Sequence, residues 1–467
     1  MDQLMNNELK INVDIIRKHY LENIPHDSTL FSLIVSPFKV IKLKNVLSSL
    51  TYQIELKDAL ENLGYSRKDN DLYRIWQTND LNNCSSDVVK KFIEILSKEI
   101  SPILSNIFNV ELNEKISITA SLYRNGDHLL CHDDKCEDRC IAFVYYLSEA
   151  QGCGGSFDMF DHDESFQPTE IKHSLLPEVG SLVCFEVGNL TYHQVSEITS
   201  DSFNRLSING WLHSSRKLSV LNYVEPLPRL RKQISLEGLV LLDKYINLLY
   251  CTPSTLIEMR EQFEEESFIL LKTMFVEKFF NLCSLEIKKK TINWKRKGPA
   301  NRRNYEVANL KYLPNSLRTL IRFLMSSLFT AYLRNLTGLS LKPCTGGNSG
   351  SEFSIELIRW TPGCYTMATD NDAFFKKSGL DLYLYFDTKA ALTNPENTSG
   401  YVTYLATDDD DSFDKELITI VPKDNAMSLI YRTENTVRFT KYINHSVEKE
   451  YYAVYATYYE DESCDIA

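Results

Sequence analysis

Apolar positions fall into two textures that alternate twice along the chain. Over the first hundred residues the dominant spacing is helical. Asp58 to Leu63 carries it, and so does Ser86 to Ile100, through Val88, Val89, Phe92, Ile93, Ile95, Leu96 and Ile100. From Ile116 the spacing changes to short β runs broken by Gly, Pro and Asp, clearest at Ile141–Leu147, Ser181–Val187 and Arg205–Leu212. Periodicity then lapses across residues 214–235, where Ser214, Ser215, Pro226 and Pro228 mark a linker. Helical spacing resumes with Thr252-Pro253, an N-cap followed by proline at the first helical position, predicting a helix to about Phe275. Leu317–Leu336 predicts another, and β texture returns from Phe353 to Glu460. The acidic run Asp408–Asp411 reads as a solvated loop between strands.

Helices, strands, linker, helices, strands is a repeat on the scale of a whole domain. The predicted division is a first domain over 1–213, a linker over 214–235 and a second domain over 236–467. A residue-level echo accompanies it. Asp127–Asp134 lies beside Cys364–Asn371, and Phe185–His193 beside Tyr431–Thr440 with one residue's adjustment.

Composition narrows this little. The 467 residues allow two or three domains, and 43% hydrophobic with 24% charged residues is globular usage. An aromatic share of 11% favours β-rich domains. With a net charge of −12, direct DNA binding is not expected on electrostatic grounds. Met1–Tyr20 has no apolar signal-type core and no run is long enough to span a bilayer, so neither secretion nor membrane insertion is expected. The 11 scattered cysteines then read as reduced thiols of the cytoplasm or nucleus, in a chain expected to be monomeric. Cys131, Cys136, Cys140 and Cys153, near His128 and His132, lack the paired knuckles of a zinc site. His162 and His173 read as loop residues.

The candidate chemistry sits in the first domain. His132-Asp133-Asp134 ends a β run, and His193 stands just before another. Two histidines and one carboxylate can hold Fe(II) on one face and leave three positions open. Arg205 follows His193 after 12 residues and opens a strand on which Arg205, Ser207, Asn209 and Trp211 share one face, Leu206, Ile208 and Leu212 the other. A polar inner face lines a pocket, and Arg205 offers a donor fork for the far end of a dicarboxylate. On Ile141–Leu147, Ala142 and Val144 leave room beside Tyr146, whose phenol can reach the same carboxylate. Taken singly each of these is an ordinary surface or core residue. Their joint order makes the case.

These residues lie in stretches that resemble a known family, the eukaryotic prolyl hydroxylases of a small-subunit ribosomal protein, which include the yeast Tpa and Ofd proteins and an animal homologue. The stretches are Leu130–Asp134, Arg139–Leu147, Gly154-Gly155, Phe185–Val187, Tyr192–Glu197, Arg205–Trp211 and, in the second half, Phe263–Leu271. The resemblance runs from about Pro37 to Glu460. It implies an α+β, mainly β fold of two double-stranded β-helix (jelly-roll, cupin-like) domains, each preceded by helices. It implies iron ligation by His132, Asp134 and His193, and 2-oxoglutarate held by Tyr146 and Arg205, with Tyr123 as a further pocket residue. Fe(II), 2-oxoglutarate, O2 and ascorbate follow as cofactors and cosubstrates. The implied reaction is 3-hydroxylation, or dihydroxylation, of a proline in the ribosomal protein at the decoding centre, with an effect on translation.

In the second half the echo places Thr369 and Asn371 against His132 and Asp134, and Thr440 or, with an insertion, His445 against His193. Thr and Asn are poor iron ligands, so that domain is expected to be non-catalytic. Two rivals stand beside this reading: a non-catalytic oxygen or 2-oxoglutarate sensor, and a metal-dependent isomerase on a rolled β scaffold. Arg205 argues against both.

Overall fold

The computed structural model describes residues 4–136, 138–149, 152–216, 223–226, 228–235, 242–344, 350–368, 377–392, 399–406 and 415–460. It divides into two compact units, Met1–Tyr223 with Pro299–Asn301, and Val224–Gly298 with Arg302–Ala467.

The first unit contains β1 (His26–Asp27), β2 (Phe31–Ile34), β3 (Val40–Leu43), β4 (Ser66–Asp69), β5 (Tyr73–Gln77), β6 (Ile116–Tyr123), β7 (His128–His132), β8 (Arg139–Tyr146), β9 (Phe157–His162), β10 (Pro168–Leu175), β11 (Leu182–Glu186), β12 (His193–Val195) and β13 (Arg205–His213). They form one sheet in the order β1-β2-β3-β11-β8-β13-β6-β5-β7-β12-β9-β10, with β4 on β5. The quartets β11-β8-β13-β6 and β7-β12-β9-β10 are the two faces of a double-stranded β-helix. Helices Leu50–Glu61 and Asp87–Ile95 press Leu56, Leu60, Val89 and Phe92 against the outer face of the first quartet, onto Ile141, Phe143, Leu206 and Ile208. Ser49 caps the first helix by accepting from the Tyr52 N–H. This packing stiffens one wall and leaves the other side of the same strands to line a hollow.

The second unit contains β14 (Phe268–Lys272), β15 (Trp294–Lys297), β16 (Arg303–Ala308), β17 (Phe353–Trp360), β18 (Tyr365–Thr366), β19 (Gly379–Phe386), β20 (Val402–Ala406), β21 (Lys415–Ile420), β22 (Ala426–Arg432), β23 (Thr436–Thr440) and β24 (Tyr451–Tyr459). Their order, β14-β22-β19-β24-β17-β16-β18-β23-β20-β21 with β15 on β16, repeats the first sheet strand for strand from β3 onward. Both units are mainly β double-stranded β-helices preceded by helices.

Several local expectations change. The first hundred residues are not mostly helical: β1 to β5 lie among the helices. Strands of 2 to 5 residues are too short to show a period. The helix predicted to about Phe275 ends at Glu266, where Ser267 turns left-handed (φ 55°) and Phe268–Lys272 pairs with β22 instead. Leu317–Leu336 is two helices, Asn315–Leu324 and Ser327–Thr337. They break at Ser326, whose buried side chain accepts from the Phe329 N–H as a new N-cap. His162 ends β9 and His173 lies within β10, so neither is a loop residue. The acidic run Asp408–Asp411 falls outside the described residues. Among the described residues no helix is long and apolar enough to cross a membrane.

The second unit's hollow is filled. Asp381 is fully buried there and accepts from Thr457 Oγ1 (2.7 Å), Tyr404 Oη (2.8 Å) and Tyr455 Oη (3.1 Å). Arg432 and Arg438 pair with the same carboxylate at 3.4 and 3.5 Å. A cavity of about 30 Å³ is left beside them. Removing one member of a buried ion cluster exposes the other charges to an apolar surrounding. Asp381→Ala is therefore expected to destabilise the second unit by about 3–5 kcal/mol, read as a lowered denaturation midpoint. An unchanged midpoint would show that the cluster does not hold this interior together.

Candidate active site

The register of one strand pair builds the site. β7 and β12 run antiparallel, and His132 and His193 are direct partners across them, with ring centroids 4.2 Å apart. Each ring is oriented from behind: Nδ1 of His132 lies 2.7 Å from the Leu130 carbonyl, and Nδ1 of His193 lies 2.8 Å from the Thr191 carbonyl. A carbonyl can only accept, so Nδ1 carries a proton in both, and in the neutral ring each Nε2 offers its lone pair. Both Nε2 atoms face the Asp134 carboxylate, at 3.3 and 3.5 Å. Asp134 is not in the strand. β7 ends at His132 and Asp134 takes a left-handed φ of 61°, so its side chain reaches the histidines through a turn, not through strand alternation.

The electrostatics follow. Burial penalises the Asp134 charge, but the two imidazoles outweigh it and hold the carboxyl well below its usual range. Burial, with His132 beside it, brings His193 down to about 4. Burial opposes the charge on His132 too, yet Asp134 raises its pKa. Phe157 and Phe185 pack on His193 with centroids 5.0 and 4.8 Å away, keeping that side dry.

The donor atoms of His132, Asp134 and His193 lie within 4.8 Å of one another. Metal bonds of about 2.1 Å place neighbouring donors roughly 3 Å apart, so two lone pairs and a carboxylate at these separations fit a divalent ion. The three form one edge of a cavity of about 510 Å³. Ala142 and Val144 of β8 and Ser207, Asn209 and Trp211 of β13 line it, while Leu206, Ile208 and Leu212 face the hydrophobic core.

Arg205 also lines the cavity and is 1% exposed. Its Nε donates to the Gly155 carbonyl (3.0 Å), one Nη to Ser207 Oγ (3.2 Å) and the other to Tyr146 Oη (3.4 Å). Among the described residues no carboxylate pairs with it. A buried guanidinium without an anion is costly to maintain, and the open space before it suits one. Tyr123, the direct partner of Arg205 across β6 and β13, lines the cavity with its ring 4.8 Å from the guanidinium. Tyr146 is fully buried and lies outside the cavity lining, so it touches Arg205 but not the open space. Gly155, named above for the family resemblance, takes φ 76° and leaves room for Arg205. A Cβ there would come within 3.0 Å of Arg205 Cδ and 2.7 Å of Ile198 Cδ1.

The second unit shows what the same framework looks like without the site. Thr366 faces Thr440 across β18 and β23, as Leu129 faces Val195 across β7 and β12. Thr366 pairs with Arg303 of β16 as Leu129 pairs with Tyr73 of β5, so the position of His132, three residues further on, falls to Thr369, as the echo predicts. Arg438 faces Tyr404 as His193 faces Met159, so the counterpart of His193 is Arg438 and not Thr440. His445 lies beyond β23. Thr369 and Asn371 fall outside the described residues. Tyr451 and Trp360 pair where Arg205 and Tyr123 do, and Asp381, Tyr383, Tyr455 and Thr457 replace Ala142, Val144, Asn209 and Trp211. Gly400 takes the place of Gly155, with a built Cβ meeting Tyr451 Oη at 2.2 Å.

Known proteins share this architecture. The 2OG-Fe(II) oxygenase superfamily profile matches residues 118–213, and the profile for the oxoglutarate and iron-dependent oxygenase degradation C-terminal domain matches 237–465. Prolyl 3-hydroxylase OGFOD1 of Xenopus laevis is 33% identical, over 85% of this chain and 81% of its own. Prolyl 3-hydroxylase sudestada1 of Drosophila melanogaster is 31% identical, over 89% and 81%. This chain belongs to the prolyl 3-hydroxylase family. It is thus a 2-oxoglutarate-dependent prolyl hydroxylase, with Fe(II) as cofactor and 2-oxoglutarate and O2 as cosubstrates. A solved prolyl-4-hydroxylase from Pseudomonas putida is 17% identical over 43% of this chain and 98% of its own, with a TM-score of 0.33.

His132→Ala and His193→Ala should each abolish Fe(II)-dependent succinate formation and lower Mn(II) affinity; retained turnover in either would remove that residue from the ligand set. Arg205→Ala should raise the half-saturating 2-oxoglutarate concentration roughly 10- to 100-fold, the scale of a lost charge-assisted hydrogen bond pair. An unchanged value would show that the cosubstrate is held elsewhere.

Proposed function

We propose that this chain 3-hydroxylates a prolyl residue of a small-subunit ribosomal protein at the decoding centre and so affects translation. The observation that carries the enzymatic part is the His132–Asp134–His193 cluster on one edge of a cavity that is also lined by Arg205, buried and with no carboxylate partner among the described residues. The names of the relatives support position 3 of the proline, and the family resemblance of the seven sequence stretches supports the ribosomal substrate. One relative, from Ostreococcus tauri, 29% identical over 39% of this chain, is named a 3,4-dihydroxylase, so a second hydroxyl is a distinct outcome of the test.

In this reading His132, Asp134 and His193 hold the iron, which when bound supplies the activation of O2 coupled to 2-oxoglutarate decarboxylation. The chain's residues do the rest. Arg205, steadied by Gly155, Ser207 and Tyr146, holds the far carboxylate of 2-oxoglutarate, with Tyr123 closing the cavity beside it. Ala142 and Val144 leave the space that the cosubstrate fills. Phe157 and Phe185 exclude water from the His193 side. The second unit is non-catalytic: Thr369 and Asn371 answer His132 and Asp134 in the sequence echo, and Arg438 answers His193 by register. The protein works as a monomer in the cytoplasm or nucleus, with ascorbate as reductant.

The full chain, incubated with Fe(II), 2-oxoglutarate and peptides covering the prolines of small-subunit ribosomal proteins, should add one oxygen atom to a single proline, with succinate released in step. Mass spectrometry locates the oxygen. Succinate release without peptide oxidation on any of these peptides would overturn the ribosomal assignment, and oxidation at carbon 4 alone would overturn the 3-position.

A further inference from the structure

Asp134 reaches the two histidines from the connection between β7 and β8, and a left-handed φ of 61° is an unfavourable place for its backbone to rest unaided. Its position has to be imposed by what surrounds it, as the positions of His132 and His193 are imposed by their strand pair. The connection is tied to the end of β13. Asp138 Oδ1 accepts from His213 Nδ1 at 2.7 Å and from Lys115 Nζ at 3.0 Å, and the Asp138 carbonyl accepts from the Ser214 N–H at 3.0 Å. His213 is 2% exposed, and its Nε2 lies 2.9 Å from Ser117 Oγ on β6. A second tie runs beside the first. Arg139 donates to the Asp134 carbonyl at 3.4 Å, and its guanidinium lies 3.6 Å from the ring centroid of Trp211, two residues before His213 on the same face of β13.

We propose that Asp138, His213 and Ser117 form a latch that fixes the connection and thereby sets the Asp134 carboxylate for metal binding. His213 is a positioning residue: it acts on the carboxylate through Asp138 and never touches the reacting atoms. The order Ser–His–Asp, with Nε2 toward the hydroxyl and Nδ1 toward the carboxylate, is also that of a hydrolase triad. Ser117 does not line the cavity, however, so its hydroxyl is not presented to a substrate held there. Carboxylates and histidines behind metal ligands commonly contribute 10- to 100-fold in metal affinity, which sets the expected scale.

The inference rests on Asp134 being a metal ligand, and the test separates the two claims. Mn(II) binding to the full chain is titrated for wild type, Asp134→Ala, His213→Ala, His213→Asn, Asp138→Asn and Ser117→Ala, alongside melting temperature and half-saturating 2-oxoglutarate at saturating metal. Asp134→Ala should lose Mn(II) outright; if it binds normally, the ligand assignment itself fails. His213→Ala and Asp138→Asn should weaken Mn(II) binding about 10- to 100-fold with the 2-oxoglutarate requirement unchanged. His213→Asn keeps an N–H at the Nδ1 position and should recover most of the loss, and Ser117→Ala should cost least. The latch is overturned if Mn(II) affinity in Asp138→Asn matches wild type while Asp134→Ala has lost it. It is equally overturned if His213→Asn binds metal no better than His213→Ala, or if metal and 2-oxoglutarate affinity fall together. Should His213→Ala fail to fold, Asp138→Asn, a change at a side chain 35% exposed, decides alone.

Discussion

Everything at the site depends on the register of one short antiparallel pair. His193 stands opposite His132 at the start of β12, a strand of three residues whose pairing with β7 shifts register before Val195 meets Leu129. Side chains alternate across a strand, so a slip by one residue would turn His193 away from the hollow and bring Gln194 or Tyr192 to its place. The Leu130 and Thr191 carbonyls then choose the tautomer, and the tautomer chooses which nitrogen meets the metal. Backbone geometry thus decides both where the ligands stand and which atom they offer.

The two units show how little has to change for such a site to vanish. The strand order is the same, and so is the glycine that lets the last strand's first side chain come close. What differs is the inward side chains. Small residues at Ala142 and Val144 leave a hollow; Asp381 and Tyr383 at the matching places fill one. The polar material that fills it is itself tied together, so the space is closed by hydrogen-bonded groups and not by collapse of the sheet. Cavity volumes of about 510 and 30 Å³ measure the outcome.

Much of this was legible in the sequence, for particular reasons. β8 and β13, of 8 and 9 residues, and the continuous apolar run of β11 appear within one or two residues of the expected bounds. The division of β13 into a polar and an apolar face was readable because alternation is a rigid rule. Short pieces were not: β1 to β5 carry too few residues for a period, and the strand after Glu266 is hidden because FEEESFILL continues a plausible helix until Ser267 turns. The ligand trio was readable from spacing, but the route of Asp134 was not, since a left-handed aspartate looks like any other in a sequence. The echo of His132 in Thr369 was readable and agrees with the ladder, but the echo of His193 in Arg438 was not, since no residue-type likeness marks it. The tie from Asp138 to His213 and Ser117 joins residues 75 and 96 positions apart, and no local pattern announces it.

The Gly154-Gly155 pair has a wider implication. Both residues adopt left-handed angles, and a methyl group on Gly154 would overlap the Glu197 carbonyl at 1.7 Å. Exchange for any other amino acid is barred twice over, by dihedral preference and by lack of space. Drift elsewhere on the surface can be absorbed side chain by side chain. At this crossing the main chain itself is the tool that grips the guanidinium, and a grip made of backbone can be inherited but hardly tuned.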